Sequence, residues 1–245
     1  MASMTTELYD VCKPDDPGVS NQVKKLAHFK DAVRVQESIT ARAEKRTLIW
    51  MAERMPTWVT PDHLTALGFL AQLMAGVSFA LAGANKSWLF AVIVCLTMNW
   101  FGDSLDGTLA RVRQQQRRRY GFYVDHIVDS FGALALMAGM ALSGYMHPWI
   151  AAGLLVAFLL LSIQSYLATY ALGEFRLSFW RFGPTEIRIL LAIGCVALLN
   201  HSMVLGRRFR LFDVGGIITI VGMTLMLIAA TVRNTIRLYR EERVW

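Results

Sequence analysis

The chain has 245 residues, 55% hydrophobic and 18% charged, with a mean hydropathy of +0.40. A soluble domain carries about 45–50% apolar and about 25% charged residues, so this balance excludes an ordinary soluble fold and indicates a membrane protein. The net charge of +7 raises nucleic-acid binding as a rival, and where the positive charges sit along the chain decides between the two.

Met1 to about Gly18 is polar, is interrupted by Pro14, Asp15, Asp16, Pro17 and Gly18, and lacks the charged start and apolar core of a signal peptide. It reads as a mobile tail. From Ser20 to about Trp50 the periodicity is helical. Val23, Leu26, Phe29 and Val33 form an apolar stripe against Lys24, Lys25, Lys30 and Arg34, followed by Arg42, Lys45 and Arg46. This predicts a basic amphipathic helix lying on an anionic membrane surface. Residues 1–55 are therefore expected to be a polar tail plus an interfacial helix, and residues 56–245 the membrane domain.

A bilayer core of about 30 Å asks for roughly 20 apolar residues per helix. Six runs are candidates: Pro61 to Leu81, Trp88 to Leu109, Phe122 to Ala141, Pro148 to Tyr170, Pro184 to Asn200 and Phe212 to Val232. The fifth is the shortest. Thr60 before Pro61, His147 before Pro148, Gly183 before Pro184, and Asp213 in the last run supply helix-start chemistry. With the N-terminus cytoplasmic, 21 of the 25 lysines and arginines fall on that side, and only Lys86, Arg207, Arg208 and Arg210 on the other. The bias favours an even number of spans with both ends inside. It also accounts for the basic charge without nucleic acid. Cys12, Cys95 and Cys195 form no C-x-x-C pair, so neither a disulfide framework nor a cysteine metal site is expected.

Asp103, Asp106, Asp125 and Asp129 lie within or at the ends of the second and third runs. An ionisable group there costs roughly 2.5 kcal/mol or more, which marks a functional site. Asp103 and Asp106 are i and i+3 on one helix face, and Asp125 and Asp129 are i and i+4 on the next, so two acidic pairs face each other across a short loop. Their repulsion calls for a bound cation, and the hard oxygen donors suit Mg²⁺, Mn²⁺ or Ca²⁺ rather than zinc. Gly107, Ala110 and Gly121 remove side chains beside the cluster and leave room for a bulky ligand. Since Mg²⁺ commonly binds through carboxylates plus substrate phosphates, the implied ligand is a diphosphate, with Arg111 placed to meet a phosphate.

The run Asp103-Ser-Leu-Asp106-Gly107-Thr-Leu-Ala110-Arg111, followed after nine residues by Gly121-Phe-Tyr-Val-Asp125-His-Ile-Val-Asp129, resembles the D-x-x-D-G-x-x-A-R…G-x-x-x-D-x-x-x-D signature of the CDP-alcohol phosphotransferases. The six-span plan with a preceding amphipathic helix resembles that family over nearly the whole chain. The resemblance implies transfer of a phosphorylated group from a CDP-linked donor to an alcohol, with release of CMP. It implies two metal ions, Mg²⁺ or Mn²⁺, held by Asp103, Asp106, Asp125 and Asp129, with Asp129 also the general base. Gly107, Ala110 and Gly121 would line the cytidine pocket, and Arg111 would support nucleotide or phosphate.

Further positions follow the same resemblance. Thr60-Pro61-Asp62-His63-Leu64-Thr65 resembles the family's first-span start, but Asp62 stands where an asparagine often follows the proline. Asn99, one turn before Asp103, could bind nucleotide or metal-bound water, or join helices. Pro184-Thr185-Glu186 with Arg188 resembles a Gly-Pro-x-Glu element of choline and ethanolamine phosphotransferases, Asp125-His126 with Asp129-Ser130 resembles their D-H-x-x-D-S version of the signature, and Arg188 could equally grip a phosphorylated acceptor. His126, three residues before Asp129, is an alternative base. Gly132, Ala133, Ala135, Ala138 and Gly139 could pack another helix or a second subunit, and the family is commonly dimeric. The resemblance leaves open whether the lipid is donor or acceptor, and a bacterial inner membrane is expected rather than the endoplasmic reticulum. The competing class is a divalent-cation transporter built on intramembrane carboxylates.

Overall fold

The computed structural model describes residues 33–35, 41–176, 184–200, 203–204 and 209–242. The chain forms two compact units, Met1–Val33 and Arg34–Trp245, and every described helix belongs to the second. These are α1 (Ala41–Arg54), α2 (Pro61–Ala82), α3 (Trp88–Val112), α4 (Arg118–Leu142), α5 (Pro148–Leu172), α6 (Pro184–Asn200) and α7 (Leu211–Glu241). Four short strands accompany them: β1 (Val33–Val35), β2 (Glu174–Arg176), β3 (Met203–Val204) and β4 (Phe209–Arg210). β3 and β4 pair antiparallel, Met203 opposite Arg210, between α6 and α7.

The helix starts follow the expected chemistry. The Thr60 hydroxyl accepts from the His63 amide at 3.3 Å while His63 Nδ1 accepts from the Thr60 amide, a capping box with proline at the first helical position. His147 Nδ1 accepts from the Trp149 amide at the start of α5, which closes on Gly173 at φ +68. Asp213 acts differently from its expected cap role. α7 begins at Leu211, and Asp213 Oδ1 accepts from the His147 amide at 2.6 Å, tying the start of α7 to that of α5. Gly183 lies outside the described residues.

Two expectations are met in part. Five described helices, α2, α3, α4, α5 and α7, are long and apolar enough to cross a membrane. α6 has the predicted bounds but only 17 residues, roughly 25 Å at 1.5 Å per residue. Of the amphipathic helix expected over 20–50, the described residues from Ala41 on are helical and Val33–Val35 is extended, in keeping with the β-branched valines on either side of Arg34. The remainder of that segment lies outside the described residues, as does the tail.

α2 packs along both α3 and α4, α5 joins α4 to α7, and α1 and α6 lie on α3. Close approach depends on glycine. A Cβ on Gly102 would stand 2.5 Å from the Leu64 carbonyl oxygen and 2.6 Å from the Gly68 amide, so the α2 and α3 backbones touch one turn before Asp106. Gly76 and Gly139 do the same between α2 and α4, where Gly132 also meets the Gln72 side chain. Gly132, Ala135 and Gly139 of the small stripe of α4 are thus used inside the chain, by α2. Farther along, Phe79, Leu89, Val92, Leu136, Met140, Cys195 and Leu198 fill the interior. Large apolar side chains such as Leu70, Met74, Phe90, Val94, Leu134, Val156, Ile218 and Leu225 point outward. Long apolar helices with such outer faces form a multi-pass membrane fold.

Replacing Gly102 by valine forces the α2 and α3 backbones apart and is expected to cost about 1–3 kcal/mol or more. Gly215→Ala, at a position with open space around the added carbon, is the neutral control. Thermal unfolding of detergent-purified protein, read as the midpoint, checks the difference.

Candidate active site

α3 carries two adjacent i, i+4 stripes. Asn99 and Asp103 face α2, α4 and α6, while Trp100 and Ser104 are turned one step around the helix toward α1. Asp103 and Asp106 from α3, and Asp125 and Asp129 from α4, line a single cleft together with Thr65, Gly68, Phe69 and Gln72 of α2, Asn99 and Val128. The four carboxylates singled out in the sequence are therefore brought together, and the walls between them are supplied by α2.

The cluster is partly neutralised by its own surroundings. Arg188 Nη2 donates to Asp103 Oδ2 at 2.6 Å, and Arg188 Nε donates to Asn99 Oδ1 at 2.7 Å. The Thr65 hydroxyl donates to Asp106 Oδ2 at 2.6 Å, and the Gly107 amide donates to Asp106 Oδ1. His126 Nδ1 lies 3.3 Å from Asp125 Oδ2. Its ring is held between Phe122 and Tyr166, with centroids 4.1 and 4.8 Å away, and it is not among the residues lining the cleft.

Asn99 is 3% exposed and fully engaged. Its amide donates to the Gly68 carbonyl at 2.9 Å and to Gln72 Oε1 at 3.2 Å, while its oxygen accepts from Arg188. Of the two roles open to it in the sequence, this geometry is that of a joint between α2, α3 and α6. Gly107 and Gly121 stand in open space: only Arg111 Nη1, at 3.5 Å, comes near a Cβ on the first, and nothing comes within 4 Å of one on the second. Arg111 Nη2 donates to Thr108 at 2.9 Å along its own helix. Ala110 is half-buried and Glu186 is buried in the first turn of α6. None of Gly107, Ala110, Arg111, Gly121, Glu186 and Arg188 lines the cleft itself.

At the same end, Arg113 fastens the α1–α2 turn, donating to the carbonyls of Val59, Met55 and Pro56 at 2.5, 2.9 and 2.8 Å. Asp62 pairs with Arg117 from the α3–α4 loop. Neither Thr65 nor Gln72 is among the site residues expected from the sequence. Both are polar residues inside an apolar run, the same signal that identified the aspartates.

The donor set is all hard oxygen, which suits Mg²⁺ or Mn²⁺. As they stand, no three His, Cys, Asp or Glu side chains among the described residues converge closely enough to hold a metal ion. Asp103 and Asp106 are instead turned to Arg188 and Thr65. The chemistry of the site fits a divalent cation, and these two contacts are the ones that ligation would replace.

Residues 58–232 match the CDP-alcohol phosphatidyltransferase family. The chain belongs to that family. Membership in the CDP-alcohol phosphatidyltransferases implies dependence on a divalent cation. Among curated relatives, it is 34% identical over 113 residues to the archaetidylinositol phosphate synthase of Pyrococcus horikoshii, covering 46% of this chain and 53% of that one. It is 36% identical over 85 residues to the phosphatidylinositol phosphate synthase of Cutibacterium acnes, covering 34% and 38%. The inner membrane protein YnjF of Escherichia coli is 29% identical over 151 residues, covering 56% and 70%. The aligned segments thus span about half, or less, of the two named synthases. The crystal structure of Mycobacterium tuberculosis phosphatidylinositol phosphate synthase with CDP-DAG bound superposes with a TM-score of 0.50 at 20% identity, covering 81% of this chain and 92% of that one. The two share the fold.

Replacing Asn99 by leucine leaves the Gly68 carbonyl, Gln72 and Arg188 Nε each short of a partner. A loss of about 1–3 kcal/mol is expected, read as a lower midpoint of detergent-solubilised protein in chemical or thermal unfolding. Arg117→Ala, which removes an exposed ion pair, should leave the midpoint nearly unchanged.

Proposed function

We propose that this chain transfers a substituted phosphate group from a CDP-linked lipid to a water-soluble alcohol, releasing CMP. The observation that carries this reading is the convergence of Asp103, Asp106, Asp125 and Asp129 on one cleft beside two glycines whose side-chain space is open. The donor assignment draws support from the fold shared with a synthase holding CDP-DAG. The names of two relatives, both inositol phosphate lipid synthases, favour a phosphorylated polyol as acceptor. The other arrangement, a CDP-linked headgroup transferred to diacylglycerol, has the shorter Pro184-Thr185-Glu186 and Asp125-His126 likenesses behind it.

In this reading Asp103, Asp106, Asp125 and Asp129 hold two divalent ions. Bound there, such ions would supply charge neutralisation of the diphosphate and of the departing phosphate of CMP. Gly107, Ala110 and Gly121 leave room for the cytidine. Arg111 and Arg188 meet phosphate oxygens, Arg188 by turning from Asp103. Asp129 takes the proton from the acceptor hydroxyl as that oxygen attacks the lipid-linked phosphorus, and the bond from this phosphorus to the bridging oxygen breaks toward CMP. His126 is the less favoured base, since it is stacked away from the cleft.

α6 supports a sixth crossing. Its Arg188 is at the level of Asp103, and its Leu198 belongs to the apolar cluster that contains Leu89, so it runs beside α3 through most of that helix's depth. With six crossings both termini and the site are cytoplasmic, where the lysine and arginine bias puts them. The Escherichia coli relative, an inner membrane protein by name, favours a bacterial inner membrane, and the family resemblance favours a homodimer. A cation-transport role has less support, because buried Phe79, Val92, Leu96, Leu136 and Met140 fill the bundle beyond the cleft.

The test is a matrix of CDP-linked donors against alcohol acceptors, with Mg²⁺ or Mn²⁺ and CMP release as readout. CMP should appear with CDP-diacylglycerol and a phosphorylated polyol, vanish on chelation, and return with the metal. Asp129→Asn should lower kcat by about a hundredfold or more, with the fold intact. Unimpaired turnover in that variant removes Asp129 from the mechanism.

A further inference from the structure

One face of α1, part of the segment expected from the sequence to lie on the membrane surface, packs on α3. Leu48 and Ala52 are buried there, in a cluster with Val59, Leu64, Leu105 and Leu109. Counting back four residues, the next position on that face is Glu44, an acid among Arg42, Lys45 and Arg46. A carboxylate placed where the stripe asks for an apolar residue needs a reason, and the structure gives it three donors. Glu44 Oε1 accepts from Trp100 Nε1 at 2.9 Å, from the Ser104 hydroxyl at 3.4 Å and from the Thr185 hydroxyl at 2.9 Å.

These donors belong to two different helices. Trp100 and Ser104 are the α3 stripe adjacent to Asn99 and Asp103, and Thr185 is in the first turn of α6, three residues before Arg188. A carboxylate at a helix N-terminus is also favoured by the helix dipole. α6 is therefore fastened to α3 at two points on its first turns: by Glu44 through Thr185, and by Arg188 through Asn99 and Asp103.

We propose that Glu44 is a positioning residue for the reaction, acting through Thr185 and the first turn of α6 to set where Arg188 stands against Asp103. The proposal rests on the role assigned above to the aspartate cleft. It gives the surface helix a part in the chemistry: a shift of α1 in the headgroup layer moves a helix whose arginine touches the acidic cluster. The carboxylate touches no substrate and exchanges no proton in this role. What it contributes is geometry, so an amide that keeps the acceptor oxygen should replace it.

The test uses the full-length protein in lipid nanodiscs, with two readouts. For turnover, Glu44→Ala should lower kcat for CMP release about tenfold, the size of one lost charge-assisted hydrogen bond, with KM for the CDP-linked donor changed less than about twofold. Glu44→Gln should recover most of the loss. Thr185→Val should act like Glu44→Ala, and the double variant should be no worse than either alone, because both remove one link. For structure, amide hydrogen exchange over residues 184–190 should rise in Glu44→Ala and Thr185→Val but not in Glu44→Gln.

Unchanged exchange at the start of α6 overturns the proposal, as does a kcat per folded protein within twofold of the parent in Glu44→Ala or Thr185→Val. Fully multiplicative effects in the double variant overturn it too. Should Glu44→Ala fail to fold, Thr185→Val carries both readouts. Should the parent chain release no CMP with any donor, the functional reading fails by itself, and the exchange data still decide whether Glu44 holds α6.

Discussion

Four carboxylates in two neighbouring apolar helices are the constraint on which the rest of the structure depends. Each is expensive away from water, and like charges in one cleft raise the cost further. Such a cluster persists only where compensating groups are built around it. Here they come from every side: an arginine from α6 on Asp103, a threonine from α2 and a backbone amide on Asp106, and an imidazole beside Asp125. A bound divalent cation is the compensation that this donor set calls for beyond these contacts.

α3 is the axis of that arrangement. Its contact with α2 is close enough that only glycine fits at Gly102, and the same contact lets the Gly68 carbonyl reach Asn99. Asn99 passes the connection to Arg188 and so to α6. On its next face the helix is held by Glu44 of α1. At its end Arg113 secures the turn between α1 and α2. Backbone packing, buried amide hydrogen bonds and ion pairing thus serve one end: to hold the first turns of three helices in fixed relation around the cleft, while the opposite half of the bundle is apolar filling.

Much of this was legible in the sequence because it depends on local signals. Proline after a threonine or histidine marks where α2 and α5 begin, and intramembrane aspartates at i+3 and i+4 spacing announce both their faces and their meeting. What escaped has a physical cause in each instance. The Arg188 to Asp103 pairing joins residues 85 positions apart, a distance at which periodicity carries no information. Thr65 meets Asp106 across 41 positions, so, unlike Asn99 one turn before Asp103, neither it nor Gln72 is tied to the aspartates by local spacing. Glu44 was lost among the basic residues of its helix, although its spacing from Leu48 and Ala52 places it on the packed face. The stripe running back through Val33 was read as helix, but a valine on either side of Arg34 equally suits a strand, and there the chain is extended.

The central claim is that the aspartate cleft is a cation-dependent site for a CDP-linked diphosphate. Calorimetric titration of the purified protein with Mn²⁺, with and without a CDP-linked lipid present, tests it without relying on turnover. Saturable Mn²⁺ binding that tightens when the nucleotide lipid is present, and that is lost in Asp103→Asn and Asp125→Asn, is the predicted result. Absence of saturable binding, or binding that survives both substitutions and ignores the nucleotide, contradicts the account.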